Sequence, residues 1–319
     1  MKIDLTDLKI IREIENGGRL FIDLVERKLN IKKDELLTRL ARIESEGLVK
    51  NYQTSLLAPP FLGGDWFLGC GLCIASDPVL ASERISQSVP FLVEVWQNLS
   101  LPFGIGPNLS FSFYSNEFPS SVQLLNELNV FDFLEVYKLR QYSFPVPVSL
   151  SAAEYNLLKE IYVAPTISAE KLVGRIHPAL LGLTAEMKGG IHQELSWIRE
   201  KLNRFVAIPD NLGDETSADA GILQILPEMD WRVCENFCHT HFIVEYPNSE
   251  FQIPDSEFQL VLAGRSFRER FYQLESDLWG FDQLVTKSKI LQSLKINLKG
   301  LVFAESNRII NHWIPNLLE

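Results

Sequence analysis

The chain is poor in the residues that covalent and metal chemistry need: its 319 residues hold four cysteines, five histidines and three methionines. Four cysteines are too few for a disulfide framework in a chain of this length and fit a reducing compartment. No serine sits in a nucleophile elbow, and five histidines do not assemble an acid/base set, so the sequence reads as a protein that is not an enzyme and uses no cofactor or metal. A run of about 18 apolar residues is also missing; the most apolar stretch, Trp66 to Ala75, is broken by glycines, which excludes a bilayer-crossing helix there. Met1 to Lys9 alternates charged and aliphatic residues without a signal core, so a cytoplasmic location is expected. With 46% hydrophobic and 22% charged residues, disorder and fibrous repeats are excluded as well.

What is there is unevenly charged. The net charge is −11, yet residues 1 to 56 carry 11 Lys/Arg against 10 Asp/Glu and are slightly basic. Residues 151 to 208 are slightly basic too, and the acidity lies in 57 to 150 and 209 to 319. Overall acidity argues against nucleic acid, whereas this distribution leaves the first segment open to it.

The first 56 residues read as three helices and a strand. Thr6-Asp7 offers a polar start, Ile10, Ile11 and Ile14 form an apolar stripe, and Gly17-Gly18 stops the helix. A second helix runs from about Phe21 to Leu29 with Leu24, Val25 and Leu29 inward. A third begins near Asp34, carries Leu36, Leu37, Leu40 and Ile43 at helical spacing and ends at Gly47, before a strand over Leu48 to Tyr52. This order predicts a winged helix-turn-helix over residues 1–58. After Pro59-Pro60 the pattern alternates: strand Trp66 to Ala75, helix Pro78 to Ser88, strand Phe91 to Leu99, strand Asn108 to Ser115, helix Phe118 to Asn129 and strand Phe133 to Tyr142. That is the βαββαβ, ferredoxin-like order over residues 62–145, followed by a stiff linker at Phe144 to Pro147.

The chain then restarts at an offset near 150. Ile11-Arg12-Glu13-Ile14 is echoed by Leu158-Lys159-Glu160-Ile161, Val93-Glu94 by Val244-Glu245, and Phe131-Asp132 by Phe281-Asp282. The fold class expected is α+β, two copies of a winged helix-turn-helix followed by a ferredoxin-like domain. The second copy covers 149–210 and 218–319, with an extension from about Asn297.

Leu5-Thr6-Asp7-Leu8-Lys9-Ile10-Ile11, Asn16-Gly17-Gly18-Arg19, and Arg39-Leu40 through Ile43-Glu44, Glu46-Gly47-Leu48-Val49 resemble the Lrp/AsnC family of transcription regulators. The resemblance implies double-stranded DNA as partner, a small effector such as an amino acid, and assembly at least to a homodimer, with no membrane role. It covers residues 1 to about 56 in motif; the second copy departs from it, with Ala164-Pro165-Thr166 at the turn and Leu202 where Gly47 stands in the first. The third helix offers Lys32, Lys33, Thr38, Arg39 and Arg42 to a major groove, with Arg19 and Lys50 on the flanking backbone; Asp34, Glu35, Glu44 and Glu46 interleave, as on a solvated helix face. For an effector, the loop Gly104 to Asn108, with Gly106 and Asn108, is the expected place, although it also reads as a plain strand connection.

Other patterns carry less. Cys234-x-x-x-Cys238-His239-x-His241 has metal-ligand residue types, but alternate strand positions point opposite ways. Cys70 and Cys73 have redox spacing in a strand that separates them, and Gly104-Ile105-Gly106-Pro107 lacks the Lys and helix of a phosphate loop. Two alternatives stand beside the regulator: an adaptor whose winged helices dock on protein, and an enzyme like the siroheme decarboxylases, which are similar in architecture and use His and Arg beside a tetrapyrrole.

Overall fold

The computed structural model describes residues 1–15, 22–98, 106–175, 190–205, 222–235, 238–245, 259–260, 271–278, 289, 291–293 and 296–310. It is a mixed α+β protein. Helices α1 (Leu5–Glu15), α2 (Ile22–Leu29) and α3 (Lys33–Ser45) lead into strand β1 (Val49–Leu56). The start of α1 is set by Asp4, whose Oδ1 accepts from the amides of Thr6 and Asp7 while the Asp7 carboxylate accepts from the Asp4 amide. This reciprocal cap satisfies helix-end donors, and places the cap two residues before Thr6. Leu36, Leu40 and Ile43 of α3 are buried as their spacing predicts, but Leu37 is 38% exposed. Pro59 and Pro60, expected only to break the pattern, sit in the first turn of a short helix α4 (Ala58–Leu62), where a missing amide hydrogen costs nothing.

Strand β2 (Gly64–Ile74), helix α5 (Pro78–Ser88), strands β3 (Leu92–Asn98) and β4 (Leu109–Ser115), helix α6 (Phe118–Glu127) and strand β5 (Phe133–Phe144) follow close to the expected positions. Asp77 caps α5 by accepting from the Leu80 amide at 3.0 Å. Then come α7 (Ala152–Val163), with a Ser151/Glu154 capping box, α8 (Ala169–Leu172), α9 (Gly190–Phe205) and β6 (Leu223–Met229). Strands β7 (Cys238–Glu245), β8 (Gln259–Leu260), β9 (Phe271–Leu278) and β10 (Asn297–Ile309) complete the described chain.

β1 and β6 form a two-stranded antiparallel ribbon, and the other strands form one sheet in the order β5-β2-β4-β3-β10-β7-β9-β8. Read from the β5 edge to the β8 edge, each half runs fourth, first, third and second strand, so the fourth strand is outermost in the first half and central, against β3, in the second. Residues from Asn297, expected as an extension, are therefore a strand of the sheet, held between β7 and β3. The fixed offset also mispairs the strands: Val93 lies in β3, second of its four, and Val244 in β7, first of its four. Insertions between α8 and β7 lengthen the spacing progressively; Phe281-Asp282 lies outside the described residues.

The cores are crossed between the halves. Ile10, Ile11, Ile14, Leu36, Leu40 and Ile43 pack with Met229 at the end of β6, Trp231 just after it and Ala304 of β10. Leu157, Leu158, Ile161, Ile198 and Leu202 pack with Leu56, Trp66, Leu68 and Tyr114 of the first half. Helices α5 and α6 cover one face of the sheet through Ala81, Ile85 and Leu125 against Val95, Phe111 and Phe113. The opposite face turns Cys70, Leu72, Tyr137 and Leu139 towards Ile243 and Val302 of the other half.

Candidate functional site

Helix α3 carries most of the residues expected to meet DNA, and its own neighbours hold many of them. Arg39 donates to Asp4 at 2.9 Å, Asp7 at 3.0 Å and Glu35 at 3.1 Å. Arg42 pairs with the second oxygen of Asp7, which is only 1% exposed. Burial opposes the charged form of Asp4, but hydrogen bonds from Arg39 and from the amides of Asp7 and Thr6 outweigh it and hold the carboxyl below its ordinary range. The bonds Arg39 gives to Asp4, Asp7 and Glu35 raise its own pKa in turn. Thr38 donates its hydroxyl to the Asp34 carbonyl at 2.7 Å. Lys33 pairs with Asp23 at 2.6 Å in an exposed bridge, and Lys50 with the buried Asp230 at 2.7 Å. Lys32 stands exposed at the N-cap of α3, and Arg19 lies outside the described residues. A groove of about 510 Å³ beside α3 is lined by Asp4, Asp34, Glu35, Thr38, Arg39 and Arg42, charges of both signs.

The second half repeats this clamp. Glu154, which closes the α7 cap, takes Lys201 at 3.3 Å and Arg204 at 3.2 Å from α9. In both halves the carboxylate at the third helical position of one helix is thus gripped by two basic residues three apart on another. Asp4-x-x-Asp7 carries a capping-box signal that sequence reading passed over in favour of Thr6-Asp7.

A second candidate site lies between the sheet halves. Ser110, Ser112 and Tyr114 alternate with Leu109, Phe111 and Phe113, so one face of β4 is polar while the other meets α5 and α6. Ser112 donates to Glu94 at 3.2 Å, and Asn98 to Ser110 at 3.3 Å. Arg140, 3% exposed, lies with its guanidinium 4.9 Å from the ring centre of Tyr142. Burial raises the Tyr114 hydroxyl well above its usual value. The cavity here, against Cys70, Trp96 and Ile243, has a volume of about 10 Å³, room for about one water. Sequence reading gave the alternation but not Arg140, which has no motif around it.

Asn108 ties two strand ends together. Its amide nitrogen donates to the Ala75 carbonyl at 2.7 Å and its amide oxygen accepts from the Ala75 amide at 2.9 Å. Gly106 adopts φ 129°, and a Cβ built on it would meet no atom of the described residues within 4 Å; Gly104 lies outside the described residues. Cys70 packs between the sheet halves and Cys73 under α5, as strand alternation requires; burial pushes both thiols up to about 12. The side chains of Cys238, His239 and His241 lie outside the described residues, among which no group of three or more metal-ligating side chains converges. No helix among the described residues is long and apolar enough to cross a membrane.

No family model matches the chain. It is 33% identical over 100 residues to the leucine-responsive regulatory protein of Rhizobium meliloti (strain 1021), a match over 30% of this chain and 63% of that protein. The chain thus spans less than two thirds of that relative's length. Among solved structures, the siroheme decarboxylase NirDL aligns over 98% of both chains at 12% identity and TM-score 0.40, and its co-complex with an iron-uroporphyrin III analogue at 13% and 0.39. LrpC of B. subtilis aligns over 43% of this chain and 93% of its own at 16% identity and TM-score 0.30. The chain is therefore similar to proteins of the Lrp/AsnC group, with the curated regulator matching part of it. The expectation that the chain is not an enzyme is corrected: solved structures of an enzyme, the siroheme decarboxylase NirDL, align along 98% of it.

Proposed function

We propose that the chain is a single-chain pair of Lrp/AsnC-type units and works as a DNA-binding transcription regulator. Each unit is a winged helix-turn-helix followed by a ferredoxin-like domain, over 1–58 and 62–145 and again over 149–210 and 218–319. The repeated strand order and the repeated carboxylate clamp support the two-unit reading. The observation that carries the regulator reading is the 33% identity over 100 residues to a leucine-responsive regulator.

The geometry divides the expected DNA contacts into two groups. Exposed ion pairs such as Lys33 with Asp23 contribute about 0–1 kcal/mol, so exchanging the carboxylate for a phosphate costs little. Lys32, Lys33 and, at the flank, Lys50 are the phosphate contacts in this reading. Arg39 and Arg42, gripping the buried Asp7, hold α3 in place instead. An effector would approach the 104–108 loop at Gly106. One reading head per chain gives one half-site, so two chains are needed for a palindromic operator.

A salt-titrated mobility shift on duplex DNA tests this. Lys32→Ala with Lys33→Ala is expected to lower the slope of log affinity against log salt by about 1.8, about 0.9 per phosphate contact. An unchanged slope at full affinity would remove α3 from DNA.

A second reading, a siroheme-decarboxylase-like enzyme, is favoured by the buried polar face. Arg140 suits a substrate carboxylate, and Tyr114, Tyr142 and Glu94 lie on the same face as proton-bearing groups. The 10 Å³ cavity is far smaller than a tetrapyrrole, which puts this reading second. Its test is the absorbance spectrum of the protein titrated with siroheme; no saturable change would exclude it.

A further inference from the structure

Five residues of α3 lie on the face opposite its buried Leu36, Leu40 and Ile43: Asp34, Leu37, Thr38, Ala41 and Ser45, spaced three, four, seven and eleven from the first. All five are exposed. Their chemistry is unusual for a reading helix because the hydroxyls are turned away. Thr38 donates to the Asp34 carbonyl at 2.7 Å and Ser45 to the Arg42 carbonyl at 3.0 Å. What Thr38 presents outward is therefore its methyl, next to the Leu37 side chain and the Ala41 methyl. Arg39 and Arg42, the side chains suited to bidentate guanine contact, are committed to Asp7 on the flank facing α1. The centre of the face offers methyl groups and the acceptor of Asp34, and no side-chain donor. Lys32 and Lys33 at the start of the helix give the positive charge that a neighbouring phosphate backbone complements.

We propose that α3 recognises DNA through the 5-methyl groups of thymine in the major groove, with Leu37, Thr38 and Ala41 as the specificity-determining residues. The proposal rests on the DNA reading above and adds how that face selects its sequence. Thymine presents its methyl at the major-groove edge, and Ala and Thr methyls are apolar partners for it. Each methyl taken out of water contributes about 0.8 kcal/mol, a factor of about 4 in affinity.

The test uses the full chain and duplexes recovered by it from a random-sequence pool, read by fluorescence anisotropy. Replacing a contacted thymine by deoxyuridine removes only the 5-methyl group. Affinity is expected to fall about 4-fold for each contacted methyl, with an unchanged salt slope. Thr38→Ser keeps a hydroxyl able to bond the Asp34 carbonyl and deletes the methyl; it is expected to bind the thymine duplex about 4-fold more weakly and to lose discrimination at one position. Leu37→Ala gives the same outcome at a neighbouring position. Equal affinity for thymine and deoxyuridine duplexes, or full discrimination in both variants, overturns the proposal while leaving DNA binding intact. A pool from which no duplex is retained even at low salt overturns the DNA reading, and the proposal with it.

Discussion

At the scale of single residues, the charges of this chain do more folding than display. Asp7 is 1% exposed and faces two guanidiniums, so removing its carboxylate leaves Arg39 and Arg42 without their inner partner. A fully buried pair broken in this way costs about 3–5 kcal/mol; the arginines keep part of their surface in water, so Asp7→Ala is expected to cost about 2–3 kcal/mol in urea unfolding. A loss below about 0.5 kcal/mol would refute the clamp. Asp230 makes a second case. Its carboxyl is held far below the ordinary value by hydrogen bonds from Arg232, against burial and with help from Lys50. A depressed pKa in the folded chain means stability that is complete above the unfolded value near 4 and is lost as pH falls towards the folded one. Wild type and Asp230→Asn should therefore differ in melting temperature at pH 7 and converge below about pH 4. A gap that stays constant from pH 7 to pH 3 would show that Asp230 stabilises through something other than its charge.

At the scale of elements, β2 shows what close packing asks of a sequence. A Cβ at Gly69 would lie 2.6 Å from the Phe113 ring, and one at Gly71 2.2 Å from Phe111. The aromatic rings of β4 fill the space that a side chain would occupy. Gly47, at φ 84°, has no atom of the described residues within 4 Å of such a Cβ. Gly71→Ala and Gly69→Ala are expected to cost about 1–3 kcal/mol each by overpacking, and Gly47→Ala about 1 kcal/mol by backbone strain alone. Equal costs at all three, measured by denaturant midpoints, would mean that β2 and β4 move apart freely. Sequence reading located β2 from its apolar run and β4 from its alternation, because one buried face imposes a period of two. It misplaced Leu37, since helical spacing does not say which of two adjacent leucines faces outward. It also treated Asn297 onwards as an appendage, because a strand buried between two neighbours has no local signal for the partners it will meet. Basic residues on a helix look alike in sequence whether they meet phosphates or Asp7; only the fold brings Asp7 to Arg39 across 32 positions.

At the scale of the whole molecule, neither half finishes its own core. The first three helices close on Met229, Trp231 and Ala304, and the later helices on Leu56, Trp66 and Tyr114. Among the described strands β1 pairs with β6 alone, from Val49 with Met229 to Leu56 with Leu223, and the continuous sheet is joined by β3 with β10. A fragment ending near Pro147 would expose Trp96 and the inner faces of α1 and α3, and would leave the amides of β1 unpaired. Buried apolar area contributes about 25 cal/mol per Å², so losing those partners removes a large share of a stability that is only about 5–15 kcal/mol in total. The intact chain is therefore expected to unfold in one calorimetric transition with equal van't Hoff and calorimetric enthalpies. The fragments 1–147 and 148–319, each unfolded or aggregated alone, are expected to refold together into a 1:1 complex with the far-ultraviolet spectrum of the parent. Two separated transitions, or a monomeric 1–147 fragment with a cooperative melt of its own, would contradict the crossed packing and make the halves independent domains.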